Sequence, residues 1–323
     1  MTDVVGMGNA LVDVIAHTNA DFPADHGFVH GTATMVDAPS AERVYAALGP
    51  ATEISGGSAA NTMAGLASFG ATASYIGRVR DDQLGEVFVH DLRALGVRFD
   101  VPPATTGAAT GRCLVMVTPD AQRTMCTYLG ASAELRPADV DAAAIADAQV
   151  LYLEGYLWDE PDAKEAMRHA AASAHEAGCR VALTLSDPFC VERHQQEFRA
   201  LVDHEIDILF ANEAEICSLY DAPGFDEALR RVRHRCEIAA LTRSERGSIL
   251  VRGDELVEVP AVPINELVDT TGAGDQYAAG FLFGLTHDAD LAECGRLGSL
   301  AAAEVIGHLG ARPERSLAEL AGL

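Results

Sequence analysis

The sequence predicts an α/β fold: three layers, with a mostly parallel central sheet between helices, and a small β-lid at the sheet edge. Three observations predict it. After Pro137, strand-like and helix-length segments alternate, which makes successive strands parallel and covers both sheet faces. Two strand-rich patches, roughly 10–37 and 98–128, break that rhythm and are assigned to the lid. At 323 residues, 49% of them hydrophobic, with no linker or low-complexity tract, the chain suits a single unit over 1–323.

The elements follow in order. VVGMG at Val4–Gly8 is a buried strand, and ALVDVIAHT and TATMVDA alternate as half-exposed strands. SAANTMAGLASFG is a helix stopped by Gly70, ATASYIG a strand, and DDQLGEVFVHDLRALG an amphipathic helix. The Pro-, Gly- and Thr-bearing stretch up to Gly130 separates two alternating strands, a hairpin. AQVLYLEG, RVALTLS, DILFA, EIAALTR, GSILVRG and ELVEVPA are strands. Helices are expected over the segments between the first four of these, and again from Asp275 to about Leu285 and Leu291 to about Ile306.

Charge excludes some functions. The formal net charge is −25, which repels nucleic acid and anionic lipid. No apolar run reaches the length of a membrane span, and the acidic N-terminus lacks the basic region of a signal peptide, so a cytoplasmic protein is expected. The seven cysteines are scattered without a C-x-x-C pair, which suits a reducing compartment and argues against zinc. Lys164 is the only lysine and lies outside any Walker-type loop, so a phosphate site must use backbone amides, arginine and metal.

Five stretches could carry chemistry. In DTTGAGD, Gly272-Ala273-Gly274 opens a helix, where unpaired N–H groups and the helix dipole favour an anion. Asp275 then stands ready to take a proton from a hydroxyl beside that pocket; a plain N-terminal turn with an acidic dipole partner is the competing reading. In ISGGSAAN, Gly57 and Asn61 suit a polyhydroxylated ligand, and a Gly-Gly turn capped by Ser58 suits the same residues. GMGNAL imitates a dinucleotide fingerprint, but Leu11 stands where the third small residue belongs, which weakens an oxidoreductase reading. Asn9 and Asp13 in that stretch are candidate ligands, since a carboxylate within an apolar run is costly unless it binds something. Asn212 and Glu215 could organise water around Mg²⁺ or form a capping box. Thr242 and Gly247 could contact a nucleotide or form an ordinary β-turn.

Taken together and in this order, the stretch from GGSAAN to ALGV, the NEAE and TRSERGS segments and DTTGAGDQYAAGFLFGL resemble the PfkB, or ribokinase-like, family of sugar and nucleoside kinases, along essentially the whole chain. The resemblance implies a ribokinase-like core with a β-lid, and phosphoryl transfer from ATP to a primary hydroxyl. It implies that Asp275 is the catalytic base and that Gly272, Ala273 and Gly274 supply anion-hole amides. Asn9, Asp13, Gly57 and Asn61 would hold the acceptor, Asn212 and Glu215 would act on Mg²⁺ and phosphate, and Thr242 and Gly247 would line the ATP site. A monovalent cation, potassium, would lie by Asp269 and Thr271 and the backbone of Ile306–Arg312. GNALVDV and GGSAAN look like the adenosine-kinase branch, so the acceptor implied is a nucleoside, adenosine first, phosphorylated at its 5′-hydroxyl. A sugar such as ribose or fructose is the alternative, and a non-catalytic ligand sensor a third. Lid residues Arg112 and Arg123 offer guanidinium groups, and Arg123 looks similar to a phosphate-facing arginine of adenosine kinases. The resemblance allows a monomer or a homodimer.

Overall fold

Runs of apolar residues form strands buried on both sides, and alternating runs form strands with two unlike faces. The structure is a computed structural model that describes residues 1–120 and 122–323. In chain order the strands are β1 Thr2–Met7, β2 Leu11–His17, β3 Ala33–Met35, β4 Ala51–Gly56, β5 Ala73–Ile76, β6 Gly111–Val117 and β7 Arg123–Tyr128. Then come β8 Ala148–Glu154, β9 Arg180–Thr184, β10 Ile208–Asn212, β11 Ile238–Thr242, β12 Ser248–Arg252 and β13 Glu255–Val259.

Eight strands form a large sheet in the order β13-β12-β11-β10-β9-β8-β1-β5. It is parallel from β5 to β11, and β12 and β13 add an antiparallel edge. Alternate residues face opposite layers. Val5, Leu151, Val181, Leu209 and Leu241 pack against the helices Pro161–Ala177, Pro188–His204 and Glu213–Tyr220. Val4, Tyr152, Ala182, Phe210 and Ala240 face the helices Ser58–Phe69, Ala273–Thr286 and Leu291–Val305.

The other five strands form a second sheet, ordered β3-β7-β6-β2-β4. Its boundaries differ from those expected. Ala51–Gly56 belongs to it, paired antiparallel to β2, although its sequence carries little alternation. Residues 98–104 do not: Arg98 bridges to Ser74 and Ala104 to Arg80, beside the large sheet. Only Gly8, Asn9 and Ala10 separate β1 from β2, so the chain leaves one sheet and enters the other within three residues. It returns at Gly57, whose φ of +95° turns β4 into the Ser58–Phe69 helix. That crossover places the face of the second sheet over the C-terminal ends of β8 to β11, the edge of an open α/β sheet where ligands bind.

Candidate active site

A cavity of about 400 Å³ lies between the two sheets. Its floor is polar. The Ala273–Thr286 helix starts there, capped by Gly272 in the left-handed region with φ +78°. An added Cβ on Gly272 would lie 2.6 Å from Ala311, so the loop bearing Ala311 packs directly on this turn. The N–H of Ala273 donates to the Thr270 carbonyl (3.2 Å), which removes one of the three expected anion-hole amides. Among the described residues the N–H groups of Gly272, Gly274 and Asp275 have no partner, so the hollow keeps free donors at the positive end of the helix.

Asp275, in the first turn, is half-buried at the cavity floor with its carboxylate held on both oxygens. Ser58 donates its hydroxyl to Oδ1 (2.6 Å) and Asn61 donates Nδ2 to Oδ2 (3.1 Å). Burial raises its pKa, and these two hydrogen bonds and the Arg312 charge oppose the rise. Ser58 is therefore not the cap expected of it. Gly57 occupies the cap position, and the Ser58 side chain turns to the carboxylate.

Across the cavity, the second sheet presents one face. Leu11, Asp13 and Ile15 of β2, Ile54 of β4, Cys113 and Val115 of β6, and Arg123 and Met125 of β7 line it. Period-two alternation sends exactly these positions one way and Val12, Val14, Leu114 and Met116 into the core. The wall is largely apolar, with Asp13, Arg123 and Thr127 as its polar members. Burial pushes the Asp13 carboxyl up to about 6, against the pull of Arg312 and Arg123. Arg112 points the other way, paired with Glu42 and stacked over Tyr45.

The third wall is the ends of β10 and β11, with Asn212, Glu215 and Thr242. Asn212 and Glu215 form a complete capping box: Asn212 donates through its backbone (2.8 Å) and side chain (2.6 Å) to Glu215, whose N–H donates to Asn212 Oδ1 (2.9 Å). Burial pushes Glu215 up to about 7.

Four expected residues lie elsewhere. Asn9 is buried behind the cavity, where its backbone N–H and side chain both donate to Glu154. Ala273 is turned as described. Gly247 does not line the cavity: its φ of +79° and the close approach of the Val259–Ala261 backbone give it a structural reason to be glycine. Asp269 lies behind Thr271, with Arg123 Nη1 at 2.6 Å from one oxygen. That oxygen also accepts from the Gly310 N–H (3.1 Å), and the other accepts from Thr271 (2.7 Å).

Sequence reasoning missed two residues. Glu154 ends β8 fully buried and accepts from Asn9 and from the Ala59 N–H (2.9 Å) at the start of the Ser58–Phe69 helix. Burial pushes it up to about 7. Arg312 reaches in from the C-terminal loop. A glutamate at a strand end and an arginine in a Gly-containing loop carry no periodicity that would mark them.

The family model described as "pfkB family carbohydrate kinase" matches residues 35–316. The chain belongs to this family. The crystal structure of adenosine kinase from Sinorhizobium meliloti is 50% identical, with a TM-score of 0.92, 99% of this chain and 98% of that one being covered. A probable sugar kinase from Rhizobium etli CFN 42 is 48% identical, with a TM-score of 0.93 over 100% of this chain and 98% of its own. Adenosine kinase of Saccharomyces cerevisiae is 27% identical and covers 95% of each chain.

The fold of this pfkB-family kinase is thus ribokinase-like, and the protein is a phosphotransferase. The family implies ATP as donor and typically Mg²⁺. The site fits a Mg²⁺ ion that keeps its waters and sits on phosphates, since Glu215 is the cavity carboxylate on the β10 side and no cluster of three acidic, His or Cys ligands occurs among the described residues. It does not fit a potassium ion held by the Asp269 carboxylate, whose charge Arg123 already meets. No helix among the described residues is long and apolar enough to cross a membrane.

Proposed function

We propose that this kinase transfers the γ-phosphoryl group of ATP to the 5′-hydroxyl of a nucleoside, adenosine first. The observation that carries the choice is the apolar wall. Leu11, Ile15, Ile54, Val115 and Met125 offer a flat nucleobase the burial that a free sugar, polar all round, would not reward. The adenosine kinases among the similar proteins support the same choice.

The acceptor ribose lies between Asp13 and Asp275, with Asn61 and the Gly57 backbone beside it. ATP lies along the wall at Thr242, its γ-phosphate at the free amides of Gly272, Gly274 and Asp275. Asp275 takes the proton of the hydroxyl as its oxygen attacks phosphorus in line; the bond to the leaving ADP oxygen breaks. The amides and Arg123 balance the charge that develops on the transferring group. The second sheet shields the site from water. Mg²⁺ with its waters toward Glu215 and Asn212 would supply further charge neutralisation.

The sugar-kinase reading keeps the same chemistry, and the polar cluster of Asp13, Asn61 and Asp275 together with the Rhizobium etli relative favours it. ADP release measured across adenosine, inosine, guanosine, cytidine, ribose and fructose decides. Adenosine is expected to give the highest kcat/KM, by roughly tenfold or more, the scale of discrimination that apolar burial supplies. A sugar that outperforms every nucleoside refutes the choice. Tight binding of a ligand without turnover of any would favour a sensor.

A further inference from the structure

Among the described residues, Arg312 contributes a guanidinium beneath the floor of the site that neither lines the cavity nor pairs with a carboxylate. It rises from the loop after the Leu291–Val305 helix. Its Nη1 donates to Ser55 Oγ (2.6 Å) on β4, and its Nε donates to Asn61 Oδ1 (3.2 Å). Its Nη2 is buried with no partner among the described residues. Burying a guanidinium and leaving one of its donors unmet costs stability, and an apolar residue of similar size would avoid that cost. Fold stability therefore does not account for the residue.

The contact with Asn61 does. A guanidinium only donates, so the atom of the Asn61 amide facing Arg312 must be its oxygen. The NH₂ group then faces Asp275, where it donates to Oδ2 (3.1 Å). Asp275 itself disfavours the flipped amide, whose oxygen would face a carboxylate oxygen, and Arg312 sets the same orientation from the other end by holding the Asn61 oxygen away from Asp275. Gln276 holds the parts together, donating Nε2 to the carbonyls of both Asn61 (3.0 Å) and Ala311 (2.9 Å). The Ser55 contact extends the chain to the second sheet, where the Ser55 N–H donates to Asp91 (3.0 Å).

We propose that Arg312 is a positioning residue for the proton acceptor: it locks the Asn61 amide so that Asp275 is presented as an oriented carboxylate, and it ties that geometry to β4. This rests on the kinase reading above, in which Asp275 is the base. The charge of Arg312 acts in the same sense. Asp275 is surrounded by acidic or weakly acidic groups, namely Asp13 on β2, Tyr152 and Glu154 on β8, Tyr156 after it, and Glu215 at the start of its helix. Arg312 is the cation that holds the carboxyl down against its burial and theirs.

The test uses the full-length enzyme with adenosine and ATP. Arg312→Gln should lower kcat about 10- to 100-fold, the cost of a misplaced catalytic group, with KM for adenosine changed less than about threefold. The acid limb of its kcat/KM profile should move up by about one pH unit, the least expected when a nearby opposite charge is lost. Arg312→Lys, which keeps the charge but cannot bridge Ser55 and Asn61 with a planar fork, should recover the limb and only part of kcat, and it also serves if the Gln variant folds poorly. Compared in kcat well above the acid limbs, where the charge of Arg312 no longer alters the protonation of Asp275, the double variant Asn61→Ala with Arg312→Gln should lose no more than Asn61→Ala alone. An unmoved acid limb with kcat within about threefold, or losses that multiply in the double variant, overturns the proposal. A ¹³C carboxyl titration, with Asp275→Asn to identify the resonance, reads the same shift without substrate. If wild type fails to turn over adenosine, the acceptor reading falls, and this titration still decides the role of Arg312.

Discussion

Replacing Asp275 by asparagine removes a proton acceptor and almost nothing else. The carboxylate now takes one hydrogen bond on each oxygen, from Ser58 at 2.6 Å and from Asn61 at 3.1 Å. Asparagine has the same shape but a single acceptor oxygen. Arg312 fixes the Asn61 NH₂ toward position 275, so the new oxygen should turn there, and the new NH₂ should meet Ser58, whose hydroxyl can rotate and accept. Both contacts survive in altered form. Burial already works against the charged form of Asp275, so a neutral replacement should leave the melting temperature equal or higher. The chemical step loses its base, which costs about 10²–10⁴-fold. That corresponds to about 3–5 kcal/mol of transition-state stabilisation. The assay is coupled ADP release under adenosine and ATP saturation, with KM for adenosine followed separately. The expected result is a fall in kcat of that size with KM within about threefold. A kcat within about fivefold of wild type, in a variant that melts normally, would mean that the proton leaves by another route.

Three further outcomes are expected. Gly272→Ala puts a Cβ 2.6 Å from Ala311 at a φ of +78°, whereas a Cβ on Gly274 meets nothing within 4 Å. The first variant should melt several degrees lower, at roughly 2–4 °C per kcal/mol, and the second should melt like wild type but bind ATP about tenfold more weakly; equal melting losses would contradict the assigned roles. Because Arg123 neutralises Asp269, exchanging potassium for tetramethylammonium should change the wild-type rate less than about twofold, whereas Arg123→Ala should become potassium-dependent; a strong wild-type dependence would show that the ion pair opens for a cation. Asp13, near 6, and Glu154 and Glu215, near 7, all have folded pKa values above their ordinary ones. Their stabilising contribution is full below about pH 4 and is lost as pH rises through 6–7, so the ligand-free melting temperature should fall between about pH 4 and 7, and Glu215→Gln should flatten that slope. His308, also raised, acts in the same direction, and a melting temperature that climbs over this range would refute the burial argument.

What was legible in the sequence is what periodicity and local turns encode. The strands of the large sheet, the helix stop at Gly70 and the Gly272–Asp275 helix start follow from i-to-i+2 and i-to-i+4 spacing and from glycine chemistry. Asp13 was legible because a carboxylate inside LVDVI has no apolar excuse. Partnerships across the chain were not legible. Asn9 is spent on Glu154, 145 positions away, and Asp269 on Arg123 of the second sheet, so both look like free ligands until the strands are placed. Gly247 and Ser58 illustrate the opposite error. Each sits in a local pattern with an obvious meaning, and in each a neighbour from elsewhere decides the role: the Val259–Ala261 backbone for Gly247, Asp275 for Ser58. β4 was missed because ATEISG is stabilised by pairing with β2 rather than by its own composition.

A protein of net charge −25 that is to bind ATP must solve the problem locally. Surface charges act through water and salt with a screening length of about 8 Å, so they slow the approach of the nucleotide more than they weaken its bound state. Within the cavity the cationic character comes from free amides at a helix start and from Arg123, which is not idle but paired with Asp269. On the proposed reading, the guanidinium exchanges one anion for another when phosphate arrives. Such an exchange returns little net affinity, because the Asp269 pair is lost as the phosphate pair forms. It does discriminate: a monoanion or a hydroxyl cannot draw Arg123 away, and a dianionic phosphoryl offering two oxygens to a planar fork can. Since β7 carries Arg123, the same exchange would pull on the second sheet only when the donor is in place. The apolar wall that selects the acceptor and the arginine that senses the donor are thus parts of one sheet, and an acceptor without ATP would leave that sheet held by Asp269.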